Sequence, residues 1–199
     1  MARLSVGILL FNEVEVMDFA GPFEVFSIAE DLCGSKLVDV KTVAALKEIV
    51  CARNGLKVMP DYGFNDAPEF DMLIVPGGYG AEEIELHNRK TIDWIRSSAA
   101  RAQITASVCT GAFLLAEAGL LDGRTATTHW MDIDRLEASY PKIKVVRGVK
   151  YVDAPPMVTS GGISAGINMA FYILRKLFGV EIARNTARRM EYDIDLECC

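Results

Sequence analysis

One cysteine stands where sequence alone makes a nucleophile. Residues 104–108 form a short aliphatic run that leads directly into Cys109, and Thr110-Gly111-Ala112 opens a helical pattern right after it. A thiol at such a junction sits beside amide N–H groups that have no partner in the helix, at the positive end of the helix dipole. Those conditions favour thiolate over thiol near neutral pH, as in the serine nucleophile elbow. The opposing reading is a small buried hydrophobe, a common fate of free cysteine.

Two further segments carry groups that could serve this sulfur. Asp18 follows the first aliphatic run and precedes Gly21-Pro22, which reads as a helix start. Held among Met17, Phe19 and Phe23, its carboxyl would be raised in pKa by desolvation and could hydrogen-bond the sulfur and move a proton. The local alternative is a helix-capping aspartate. Gly77 and Gly78 turn the chain after the run 72–75, and with the Thr110 amide they could present N–H donors to a developing anion. A plain turn is the alternative there. The G-x-G-x-x-G spacing of a dinucleotide site is absent.

The elements that must position these residues follow from periodicity. Buried strands are expected over 6–10, 38–44, 72–75 and 104–108, with helices over 22–30, 91–102, 110–118, 131–140, 163–178 and 180–189. Residues 145–159, with Gly148 and Pro155-Pro156, read as two short strands around a turn. Asp39 and Lys41 place the second strand toward an edge of the sheet. Such alternation gives a mostly parallel sheet covered by helices on both faces, with ligands at the C-terminal strand edge. At 199 residues and 51% hydrophobic, the chain reads as one domain, 1–199, with a sufficient core of its own.

Bulk properties remove several function classes. A formal net charge of -6 with dispersed acids offers no basic stripe for phosphates, so no nucleic-acid partner is expected. No apolar run approaches a membrane span and the N-terminus lacks a signal-peptide pattern, so a cytoplasmic protein is expected. Five cysteines, at 33, 51, 109, 198 and 199, have neither disulfide-framework nor zinc spacing. Cys33 and Cys51 read as packed or edge residues, and the 198–199 pair as part of a tail.

Taken in order, Asp18-Phe-Ala-Gly-Pro, Pro76-Gly-Gly, Ser107-Val-Cys-Thr-Gly, Ala126-Thr-Thr-His-Trp and Thr159-Ser-Gly-Gly-Ile resemble the ThiJ/PfpI superfamily over nearly the whole chain. Within it the combination resembles the isocyanide hydratase branch. The resemblance implies a flavodoxin-like three-layer α/β sandwich of the class I glutamine-amidotransferase type, working as a homodimer without metal or organic cofactor. It also implies that Cys109 attacks the terminal carbon of a small electrophile, an isocyanide, in a small apolar pocket. Asp18 handles protons, Thr110 steadies the site, and Gly77 and Gly78 supply backbone donors. His129 would reach the pocket edge as a substrate-binding residue, against the alternative of a structural hydrogen-bonding histidine.

Departures from the wider superfamily narrow the choice. Thr110 stands where protease-like members have histidine, and Asp18 where deglycase-like members have glutamate. The main rival is the ligand-sensing domain of AraC-type regulators, which carries similar motifs but continues into DNA-reading helices. The chain ends at Cys199 with no length for them, which favours the enzyme. A redox-sensing or glyoxalase/deglycase-like stress protein would use the same elbow.

Overall fold

The computed structural model describes residues 3–196, so Cys198 and Cys199 lie outside the described residues. Seven strands form the main sheet: β1 (Leu4–Leu9), β2 (Val38–Ala44), β3 (Tyr62–Gly63), β4 (Met72–Val75), β5 (Ile104–Ser107), β6 (Tyr151–Ala154) and β7 (Met157–Ser160). Their order across the sheet is β6-β7-β5-β4-β1-β2-β3. All pairings are parallel except the β6–β7 hairpin, which turns at Pro155-Pro156. β2 has only the two-residue β3 outside it, in keeping with its polar Asp39 and Lys41.

Two helical layers cover this sheet. Helices α1 (Val16–Ser27), α6 (Ala165–Phe178) and α7 (Val180–Arg189) pack together, while α2 (Tyr79–Glu83), α3 (Arg89–Ala99) and α4 (Gly111–Glu117) form a second group; α5 (Ile133–Ser139) packs beside the short strand Lys144–Val145. The result is a mostly parallel α/β sandwich, whose central strands are apolar on both faces because helices cover both. Ile8, Leu9, Leu73, Ile74 and Val75 are fully buried. No helix among the described residues is long and apolar enough to cross a membrane.

One boundary differs in a way that matters for the site. The sequence places the first helix start at Pro22, but α1 begins six residues earlier, at Val16, with Pro22 in its interior. Proline has no N–H, so the bond that residue 22 would give to the carbonyl of Asp18 is missing. Packing against α6 holds the helix through this defect: a Cβ on Gly21 would lie 2.8 Å from the Ile167 side chain.

The core predicts a large mutational cost. Phe171 of α6 is fully buried and stacks on Tyr192 with ring centroids 5.7 Å apart. Phe171→Ala should lower the unfolding free energy by about 3–5 kcal/mol in urea denaturation, the range expected for an aromatic cavity.

Candidate active site

Strand order brings the chemistry-bearing segments together. β1 is followed in sequence by strands on one side of it and then by β4 on the other, so a crevice opens at the C-terminal ends of β1 and β4, where open α/β folds bind ligands. Asp18 follows β1, Gly77 and Gly78 follow β4, and Cys109 follows β5, the next strand along.

Asp18 lies in the first turn of α1 and is fully buried. It does not cap its own helix, which corrects the local reading. Its Oδ2 accepts from the Gly77 N–H at 3.1 Å and its Oδ1 from the Ile163 N–H at 3.1 Å, across 59 and 145 residues of sequence. Burial raises the carboxyl from its usual value to about 7, opposed by the Gly77 N–H, reinforced by the nearby Glu15 charge, and opposed again by the Ile163 N–H and by the neighbouring Cys109 thiol.

Cys109 sits at the elbow with φ of 55°, in the left-handed region that non-glycine residues seldom occupy. Thr128 and Gly161 hold it there. The Thr128 hydroxyl donates to the Cys109 carbonyl at 2.8 Å, and the Cys109 N–H donates to the Gly161 carbonyl at 3.2 Å. Such over-determination is how backbone strain persists at a site.

The protonation of the sulfur departs from the expectation of a thiolate. Burial pushes the Cys109 thiol up, and the adjacent Asp18 carboxylate pushes it further in the same direction. The Thr110 N–H and hydroxyl pull it down by less. α4 has only seven residues, a short source for the positive end on which the thiolate expectation rests. Cys109 is therefore held toward the thiol, beside a carboxyl whose value of about 7 lets it exchange a proton near neutrality.

The two glycines stand in the site but their amides are already engaged. Gly77 donates to Asp18, and Gly78 donates to the Thr110 Oγ1 at 3.0 Å. This corrects the reading of both as donors awaiting an anion; they hold the acid and the threonine in place. A Cβ on Gly77 would lie 2.5 Å from the Thr110 nitrogen, which is why the loop needs glycine there. Thr110→Val would leave the buried Gly78 N–H without an acceptor, and should lower stability by about 1–3 kcal/mol in urea denaturation, with Thr110→Ser restoring most of it.

Above the sulfur lies a cleft of about 450 Å³. Tyr79, Met131 and Ile163 form its apolar side, while Glu15, Arg53, Glu82 and Asp132 bring charge to its lining. The expected small apolar pocket is thus an apolar-sided cleft with charged walls. Glu15 pairs with Arg53 at 3.7 Å, and Glu82 with Arg135 at 2.6 Å.

His129 reaches the cleft and packs so closely on Gly162 that a Cβ there would meet its ring at 2.0 Å. The Met131 N–H approaches its Nδ1 at 3.4 Å and Asp132 Oδ2 at 3.5 Å, the first requiring an acceptor and the second a donor. Neither is a tight bond. His129 is therefore a lining residue of the cleft, and no bond in the structure ties it to Cys109.

Ile163, Thr128, Glu15 and Arg53 belong to this site and were not singled out from sequence. Only Ile163 and Thr128 had a signal, as members of the Gly-Gly-Ile and Thr-Thr-His-Trp motifs. Ile163 has φ of 54°, an outlier for a β-branched residue, and it presents its N–H to Asp18. Among the described residues no group of three or more His, Cys, Asp or Glu side chains could hold a metal ion. Cys33 and Cys51 are exposed and free, so neither is packed in the interior.

Residues 4–176 match the model of the DJ-1/PfpI family. The chain belongs to that family. Among DJ-1/PfpI relatives, the isonitrile hydratase of Pseudomonas putida is 37% identical over 194 residues, covering 95% of this chain and 78% of that protein. The HTH-type transcriptional regulator GbdR of Pseudomonas aeruginosa (strain UCBPP-PA14) is 28% identical over 189 residues, and the match covers 95% of this chain but 51% of the regulator. The chain thus spans about half of the regulator's length. A ThiJ/PfpI family protein from Pseudomonas syringae has a solved structure that superposes with a TM-score of 0.87 at 27% identity, covering 99% of this chain and 78% of that one. The superfamily and α/β sandwich expected from the motifs are those of the DJ-1/PfpI fold.

Proposed function

We propose that this DJ-1/PfpI protein hydrates isocyanides to N-substituted formamides, with Cys109 as nucleophile and Asp18 as proton carrier. The observation that carries the reading is the elbow that sets the buried Cys109 thiol beside the buried Asp18 carboxyl, each shifting the other's protonation. Similarity to the Pseudomonas putida isonitrile hydratase supports it.

An isocyanide is neutral, and its terminal carbon accepts a nucleophile and a proton. Asp18 takes the thiol proton as sulfur bonds to that carbon, then delivers it there, giving a thioimidate, R–N=CH–S–Cys109. Water then adds to the same carbon. Its oxygen bonds to carbon, one of its protons reaches nitrogen, and the other returns through Asp18 to sulfur as the C–S bond breaks. The sum is R–NC plus H₂O giving R–NH–CHO, with no net oxidation, so the cycle needs no oxidant or reductant.

Each neighbouring residue has a place in this cycle. The Asp18 value of about 7 suits a group that must both accept and donate near neutrality. Thr110, next to the nucleophile, pulls the thiol down through its N–H, while its hydroxyl is tied to Gly78, accepting from that N–H at 3.0 Å and donating toward the Gly78 carbonyl at 3.5 Å. Tyr79, Met131 and Ile163 offer an apolar wall for the substituent, and His129 borders it. The protein works as a cytoplasmic homodimer in this reading.

Turnover of an aromatic isocyanide in H₂¹⁸O tests the chemistry. The account expects one ¹⁸O in the formamide and formation in excess of enzyme. Formamide without label, or none from folded protein, would reject it. In that case a ligand-sensing role, favoured by the match to GbdR, becomes the reading; it requires binding in the Cys109 cleft without turnover, which thermal shift detects.

A further inference from the structure

A second cavity shares no lining residue with the Cys109 cleft. Phe11 and Asn12 line this one, whereas Glu15, three residues on, lines the cleft. Its volume is about 170 Å³, similar to the apolar cavity of ~150 Å³ that accepts benzene. Leu9, Phe11, Ala44, Val50 and Phe64 give it apolar walls, and Phe64 is held by stacking on Trp94 at 4.5 Å.

Polar groups share the lining, from Asn12, Glu48, Thr91 and Glu85, and one of its carboxylates is buried. Glu85 is about nine-tenths buried and accepts from the Thr91 hydroxyl at 2.5 Å and the Asn88 side-chain amide at 3.0 Å. Both bonds fall on Oε2. Among the described residues nothing donates to Oε1, yet Oε1 is not among the sealed, unpartnered polar atoms. It therefore retains access to a visiting molecule. No lysine or arginine lines the cavity, and the other charged residue in its lining is the exposed Glu48.

An unmatched carboxylate oxygen among apolar walls selects a ligand with a cationic N–H donor at one end and a compact hydrocarbon at the other. We propose that this cavity binds a small protonated primary amine with an apolar body of about six carbons, its ammonium donating to Glu85 Oε1 and its body packing between Leu9, Ala44 and Phe64. Thr91 and Asn88 fix the carboxylate before the amine arrives, so little ordering is left for binding to accomplish.

Calorimetric titration of the full chain with benzylamine and with benzyl alcohol tests this. The pair share a ring and differ in the charge of the donor. Saturable 1:1 binding of benzylamine is expected, about tenfold or more tighter than benzyl alcohol, since a charge-assisted bond replaces a neutral one. Glu85→Gln should erase the preference, and Ala44→Leu, which adds bulk to a buried wall, should weaken both ligands. Cys109→Ala should bind benzylamine as the wild type does, which separates this cavity from the catalytic cleft. If Glu85→Gln fails to fold by circular dichroism, the amine-to-alcohol ratio and Ala44→Leu decide. Equal affinities, no saturation up to the solubility of benzylamine, or loss of binding in Cys109→Ala would overturn the proposal.

Discussion

Asp18→Asn should reduce formamide production from an aromatic isocyanide by roughly a thousandfold or more, the scale seen when one member of a catalytic unit is removed. The substitution keeps the shape of the side chain and one oxygen for the Gly77 or Ile163 N–H, but it removes the group that, in the proposed cycle, takes the thiol proton and returns it to carbon. A merely structural role predicts something else. The carboxylate raises the Cys109 thiol, so its loss should bring the thiol down and let sulfur ionise at lower pH. Alkylation of the Cys109 peptide by iodoacetamide, followed by mass spectrometry to separate it from exposed Cys33 and Cys51, should therefore become faster near pH 8 while turnover collapses. Unchanged or slower alkylation would contradict this account, and fast alkylation in a variant that has lost the circular dichroism of the folded chain would mean that the elbow had come apart.

The same residue should make stability depend on pH. Unfolded, Asp18 titrates near 3.8; folded, burial moves it to about 7. Between those values the native state holds the proton and the unfolded state does not, so unfolding becomes easier as pH rises through the window. The contribution is complete below the unfolded value and gone above the folded one. Its size is on the order of 2–4 kcal/mol. Urea denaturation of wild type and Asp18→Asn from acid to mildly basic pH should show a wild-type decline that the variant lacks. Parallel profiles would mean that Asp18 is not held protonated by the fold. The direction matters for the proposed cycle, because the fold keeps a carboxyl whose ionised form its own burial disfavours.

Local signals carried far where the structure is decided locally. β2 and α7 have the limits their sequence patterns predict, the first from its β-branched run and the second from its start after Gly179. The elbow at Cys109 was legible because a short aliphatic strand runs into a threonine and small residues. α1 was misplaced because Pro22 reads as a first-turn proline, and only packing on α6 shows that the helix runs through it.

The protonation of Cys109 was misread for a related reason. A helix terminus can be read from adjacent residues, but the desolvation that opposes it comes from the whole core, and Asp18 lies 91 residues away. The amide pairings of Gly77 and Gly78 are long-range as well, so sequence placed the glycines in the site while assigning their donors to a ligand. The contact between Ile163 and Asp18 spans 145 residues and has no local trace. What sequence could not supply, throughout, was which partner each polar group had already found.

The central claim is that sulfur, assisted by a carboxylate, adds to an isocyanide. Purified wild type and Cys109→Ala should be incubated side by side with an aromatic isocyanide at neutral pH and the formamide quantified by chromatography. Many formamides per wild-type chain, and none above the protein-free control from a folded Cys109→Ala, is the result this account predicts. Formamide from Cys109→Ala at the wild-type rate, or none from folded wild type, would contradict it.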